Sequence, residues 1–83
     1  MAEEKDIVLS IHMTEDGVDT VATADLDLRG EHFEAMGRAR RNPDDPDRPI
    51  IGEELAIARA LATLEHDLMG AAQDKIDRFL GNF

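Results

Sequence analysis

A chain of 83 residues has room for one domain and one core, and burial at this size leaves only about 3 to 5 kcal/mol of net stability. It has no cysteine, which excludes disulfides and thiolate metal sites and fits a reducing cytoplasm. A net charge of -10 with 4% aromatic residues opposes approach to nucleic acid or an anionic membrane unless the few cations gather on one face, and it favours basic partners. The acidic opening Met1-Ala2-Glu3-Glu4-Lys5-Asp6 leads into no apolar run that could serve as a signal segment or a membrane span, so a cytoplasmic location is expected.

Ile7, Leu9, Ile11 and Met13 alternate with Val8, Ser10 and His12, the period-2 pattern of a strand buried on one side. Thr14-Glu15-Asp16-Gly17 closes a turn, and Asp16-Gly17 is a hairpin signal because both residue types tolerate positive φ. The returning strand, Val18 to Leu28, sets Val18, Thr20, Ala22, Ala24, Leu26 and Leu28 on one face and Asp19, Thr23, Asp25 and Asp27 on the other. Arg29-Gly30 forms a second turn. A third strand from about His32 to Arg40 then turns Phe33, Ala35, Gly37 and Ala39 inward and His32, Glu34, Met36, Arg38 and Arg40 outward.

In a hairpin the paired residue numbers have a constant sum, and its parity decides which side chains share a face. A two-residue Asp16-Gly17 turn pairs Met13 with Thr20 and Ile11 with Ala22; a two-residue Arg29-Gly30 turn pairs Leu26 with Phe33 and Ala22 with Gly37. All three apolar faces then coincide. Their middle is small, so a helix backbone can come close.

Between Arg38 and Leu61 the apolar period changes from two to between three and four, and Pro43, Pro46 and Pro49 stiffen the crossing. The helix is predicted to begin near Gly52, with Glu53 and Glu54 in its first turn, where the macrodipole favours negative charge. Ile57, Leu61, Leu64 and Leu68, widened by Ala58, Ala62 and Met69, make its apolar stripe; Arg59, Thr63, His66 and Asp67 mark the wet side. Gly70 interrupts the pattern before Ala72, Ile76, Phe79, Leu80 and Phe83 resume it. The expected fold is α+β, a three-stranded antiparallel meander with a C-terminal helix, bent or split near Gly70, packed on one face as a two-layer sandwich. One βββα(α) domain covers residues 1–83. Ile11, Ala22, Ala24, Phe33, Ile57, Leu61 and Leu64 should share its core. The second stripe, Ile76, Phe79, Leu80 and Phe83, has little sheet left to cover and is the expected homodimer interface.

Arg38, Arg40, Arg41 and Arg48 could grip phosphate, or could be neutralised by Asp19, Asp25 and the loop aspartates. Asp44, Asp45 and Asp47, followed by Glu53 and Glu54, are oxygen donors for a hard cation, but Pro46 and Pro49 break the EF-hand pattern and no metal is expected. His12, His32 and His66 belong to three different elements and no pair has a ligand spacing along the chain. Ser10 has His12 beside it but no third member. Neither catalysis nor a cofactor is expected.

Ala39-Arg40-Arg41-Asn42-Pro43-Asp44-Asp45 and the later Ile51-Gly52-Glu53-Glu54-Leu55-Ala56-Ile57-Ala58-Arg59-Ala60-Leu61 are similar to the signature of a family of small actinobacterial proteins of unknown function, labelled double-stranded RNA-binding-like. The resemblance extends more loosely over nearly the whole chain. It implies a three-stranded antiparallel sheet with a C-terminal helix, a dimer, and a shape like that of ribosome-hibernation factors. Arg40, Asn42, Pro43, Gly52, Glu54, Leu55, Arg59 and Leu61 carry over by position, and none has a catalytic role in that family. Lys5 and Lys75 are the only lysines, and Glu53-Glu54 at the expected helix start repels phosphate; both weigh against direct binding of duplex RNA.

The reading is therefore a non-catalytic interaction protein, resembling stress or ribosome-hibernation factors, with a ribosomal or other macromolecular partner. Arg38, Arg40, Arg41, Asn42, Arg48 and Arg59 are its candidate binding residues. The alternative is an acidic module for a basic protein without RNA contact. In a purely structural role, Asn42 would cap the turn before Pro43, and the arginines would tie the loop to the helix through Glu54.

Overall fold

The computed structural model describes residues 2–42, 44 and 48–81. Strands β1 (Leu9–Asp16), β2 (Asp19–Leu28) and β3 (Glu31–Arg40) form an antiparallel sheet in the order β1-β2-β3, and one helix, α1 (Pro49–Phe79), lies across it. This is the expected α+β meander with a C-terminal helix. Among the described residues no helix is long and apolar enough to cross a membrane.

The second hairpin has the predicted register, with Leu26 opposite Phe33 and Ala22 opposite Gly37. Its Arg29-Gly30 turn has positive φ at both residues, +50° and +86°, the requirement of a type I′ turn. The first hairpin differs. Its two turn residues are Gly17 and Val18, so Asp16 pairs with Asp19, Ile11 with Ala24 and Met13 with Ala22. Gly17, at φ +59°, takes the first central position and supplies the left-handed residue that Asp16 was expected to share. The partners shift by two, the parity is unchanged, and every inward face stays inward.

What these faces meet is set by Gly37. A Cβ on Gly37 would overlap the backbone of Ala56, Arg59 and Ala60, so α1 rests directly on β3 at this point. Contact that close requires small residues on both sides. Ala22, Ala24, Ala35 and Ala39 from the sheet and Ala56 and Ala60 from the helix are buried, joined by Leu26 and Leu64. Met13, Leu28, Phe33, Ile57 and Leu68 pack around them.

The buried row of α1 is therefore Ala56, Ala60, Leu64, an i, i+4 ridge one residue away from the predicted Ile57–Leu61 stripe. Leu61 is 37% exposed, and Ala58, Ala62 and Met69 face solvent. The expected core is corrected at Ile11 as well, which is 40% exposed, because α1 packs over β2 and β3 and leaves the inward side of β1 largely open.

The helix also begins earlier than expected. Pro49 occupies its first turn, where a missing N–H costs nothing, and Glu53 and Glu54 fall beyond that turn. Pro49 is thus part of α1 and not of the crossing; Pro43, Asp45, Pro46 and Asp47 lie outside the described residues. At Gly70 the helix does not divide into two segments; it runs on to Phe79. Its 31 residues span about 46 Å. A ten-residue strand reaches about 33 Å, so the helix overhangs the sheet and the molecule is elongated, 53 × 30 × 20 Å. Lys75 Nζ, 2.8 Å from Glu31 Oε1, ties the helix to the start of β3 near its C-terminal end.

Gly37→Ala should force α1 off the sheet and lower stability by about 3 kcal/mol, most of what a core this size supplies. Gly70→Ala is the control. Its added methyl meets nothing within 4 Å, so it should stabilise by about 0.5 to 1 kcal/mol through helix propensity. Urea denaturation of the two variants reads both effects.

Candidate functional site

The end of the sheet where β2 begins, β3 ends and α1 starts encloses an open concavity of about 650 Å³. Arg41 N–H donates to Val18 O at 2.8 Å, which pins the chain leaving β3 against the first turn. Asp44 N–H donates to Asn42 Oδ1 at 3.1 Å, so Asn42 organises the following turn as anticipated. The helix returns beside them with Thr20 against its start. A Cβ at Gly52 would lie 3.1 Å from Thr20 Oγ1, so the glycine lets the first turn settle on β2.

Four of the six candidate binding residues, Arg40, Arg41, Asn42 and Arg48, line this concavity, together with Glu15, Thr20, Gly52 and the apolar side chains of Val18, Ile51 and Leu55. Arg41 and Arg48 are also engaged in interactions of their own. The positive end of the α1 dipole opens at the same place: Arg48 is the N-cap residue without a side-chain cap, and no acid stands in the first turn. Guanidinium groups and a helix N-terminus facing one hollow suit the oxygens of an anion.

The other two candidates are used differently. Arg38 points to the open face of the sheet and pairs with Asp19, Nη2 to Oδ2 3.0 Å and Nε to Oδ1 3.3 Å. This hydrogen bond, with the charges of Arg38 and Arg40, holds the Asp19 carboxyl below its ordinary range. The expected cross-strand neutralisation thus occurs at Arg38. Arg59 donates from Nη1 to the Arg38 carbonyl at 2.8 Å, fastening α1 to the edge strand. Its tie runs to the β3 backbone and not through Glu54. Thr20 and Leu55 were not anticipated as lining; only the return of the helix brings them to the hollow.

At the opposite end of the sheet's open face, His32 stands among three acids. Its Nδ1 is 2.7 Å from Asp27 Oδ1, and its Nε2 is 3.2 Å from Asp25 Oδ1 and 3.7 Å from Glu34 Oε2. The hydrogen bond to Asp27 raises the imidazole pKa above its ordinary value; desolvation opposes it, and the charges of Asp27 and Asp25 and the approach of Glu34 add to the rise. Along the chain each histidine stands alone, but the register of the second hairpin sets Asp27 opposite His32 and Asp25 opposite Glu34, so this cluster is legible across the strands. His12 and His66 are exposed.

The predicted homodimer residues lie on the overhanging end of α1, with Phe79 71% and Leu80 60% exposed and Ile76 also open. The Arg78 guanidinium lies 5.8 Å from the Phe79 ring centroid. Phe83 lies outside the described residues.

The uncharacterized protein Rv2632c of Mycobacterium tuberculosis H37Rv is 40% identical over 58 residues, 70% of this chain and 62% of its own length. The uncharacterized protein Mb1767 of Mycobacterium bovis is 38% identical over the same shares. The chain thus matches a little under two thirds of the length of these relatives. The crystal structure of Rv2632c superposes with a TM-score of 0.87 at 32% identity, covering 93% of this chain and 92% of the other. The profile of the Rv2632c-like family matches residues 5–82, and this protein belongs to that family.

Proposed function

We propose that this protein is a non-catalytic binding protein that engages phosphate groups of a macromolecular partner through the arginine-lined concavity, in the manner of ribosome-hibernation factors. The observation that carries this reading is the convergence of Arg40, Arg41 and Arg48 with the uncapped start of α1 on one hollow. Among the described residues the lining holds one carboxylate, Glu15, a composition suited to holding an anion more than to moving protons. A hollow of this size takes one or a few phosphates, not a groove of duplex RNA. The net charge of -10 keeps long-range attraction to naked nucleic acid low, since fields reach only about 8 to 10 Å at ordinary ionic strength. Partner contact is then local, at an RNA pocket on a ribosome or a similar assembly.

The acidic end of the open face, with Asp25, Asp27 and Glu34, favours the second reading of a module for a basic protein. The two ends separate in experiment. Anisotropy titration with a short single-stranded RNA should show weak binding with a log-log salt slope of about -2, near -0.7 for each of three contacts. Arg40→Ala with Arg41→Ala should abolish it. Binding unchanged in that double variant removes the arginine site, and capture from stressed cells that survives nuclease but fails in Asp25→Asn with Glu34→Gln moves the function to the acidic end.

Self-association belongs to the same proposal. No large side chain is fully buried in the described residues, while Ile76, Phe79 and Leu80 stand open on the helix overhang. A second copy seated there supplies apolar burial that one chain lacks. Sedimentation at micromolar concentration should report a dimer, and Phe79→Asp should give a folded or partly unfolded monomer. A wild-type monomer across that range ends the dimer proposal.

A further inference from the structure

The His32 cluster brings one imidazole nitrogen and two carboxylate oxygens to one point on the open face of the sheet. Asp25 and Glu34 are direct cross-strand partners on the open face, and like charges directly opposite one another repel. Asp25 Oδ1 and Glu34 Oε2 both turn toward the same imidazole nitrogen, with all three atoms within 4.8 Å of one another, an arrangement that either a proton or a cation at that nitrogen stabilises. The Nε2 distances of 3.2 and 3.7 Å are long for charge-assisted hydrogen bonds, which fall near 2.7 to 2.9 Å. They bracket the edge of a coordination tetrahedron, about 3.3 to 3.5 Å for ligands about 2.0 to 2.2 Å from a zinc-sized ion. The opposite nitrogen, Nδ1, meets Asp27 at 2.7 Å. That contact fixes the ring and directs Nε2 into the gap, the outer-shell arrangement typical of metal-binding histidines.

We propose that Asp25, His32 and Glu34 form a binding site for a divalent transition-metal cation such as zinc, with Asp27 as the carboxylate that orients the imidazole. One nitrogen and two carboxylate oxygens favour a borderline cation over magnesium or calcium, which prefer oxygen alone. The remaining positions go to water, because the cluster is open to solvent. Binding replaces the Nε2 proton by the cation and relieves the Asp25–Glu34 repulsion. The cation also joins β2 to β3 at the end of the sheet away from the arginine concavity. This inference stands independently of the anion site there.

Calorimetry with zinc chloride alone, in a non-chelating buffer and on protein without an affinity tag, tests it. One equivalent should bind at micromolar concentration, and magnesium should not compete. Cobalt substitution should give visible absorption bands of low coordination number. His32→Ala, Asp25→Asn and Glu34→Gln should each weaken binding at least tenfold, and Asp27→Asn should weaken it by about 10- to 100-fold. His12→Ala should leave it unchanged. In the wild-type protein, zinc should shift the nitrogen resonances of His32 and spare those of His12 and His66, which needs no variant to fold. No heat and no resonance shift at 100-fold excess zinc overturns the site, as does binding that survives His32→Ala in a folded protein.

Discussion

The approach of α1 to β3 at Gly37 governs the rest of the molecule. With helix backbone against sheet backbone there, the core has room for little but methyl groups, and six of its eight buried hydrophobic residues are alanines. Close packing of small residues gains dispersion contacts per unit area, but each alanine removes little apolar surface from water. The fold thus has a well-defined contact and a small hydrophobic contribution, which explains why so many larger apolar side chains remain at its margins.

Those margins follow from geometry. One helix can lie over about two strands, and Gly37 sits on the edge strand β3, so the helix covers β2 and β3 and leaves Leu9 and Ile11 of β1 half open. Along its axis the helix outruns the sheet, and the tie between Lys75 and Glu31 marks about where support ends. Beyond it, Phe79 and Leu80 have no strand beneath them.

The open face is divided by the same register that builds the core. Pairing Asp19 with Arg40 and Asp27 with His32 places the basic residues at one end and the acid–histidine group at the other, separated by about 26 Å of strand. A net charge of -10 hides this division. Local chemistry at each end is set by side chains a few ångströms apart, and within that range a total charge has little say.

The sequence by itself determined the element order, the parity of all three strand faces and the identity of the small inner residues, because period-2 alternation and turn chemistry are local properties. It also determined the register of the second hairpin, and through it the Asp25, Asp27, His32 and Glu34 grouping that a reading confined to spacing along the chain passes over. The tertiary structure alone decided which helix face is buried. Hydrophobicity ranks Ile57 and Leu61 above Ala56 and Ala60, but contact with Gly37 selects for the smallest side chains, and that choice exists only once helix and strand meet. It likewise decided that Gly70 continues the helix, since nothing packs there to exploit a bend, and that Arg40, Arg41 and Arg48 share a hollow with Thr20 and the start of α1. The arginines and the start of α1 are near one another along the chain, but Thr20 comes from another strand, β2, and only the return of the helix across the sheet closes the hollow around them.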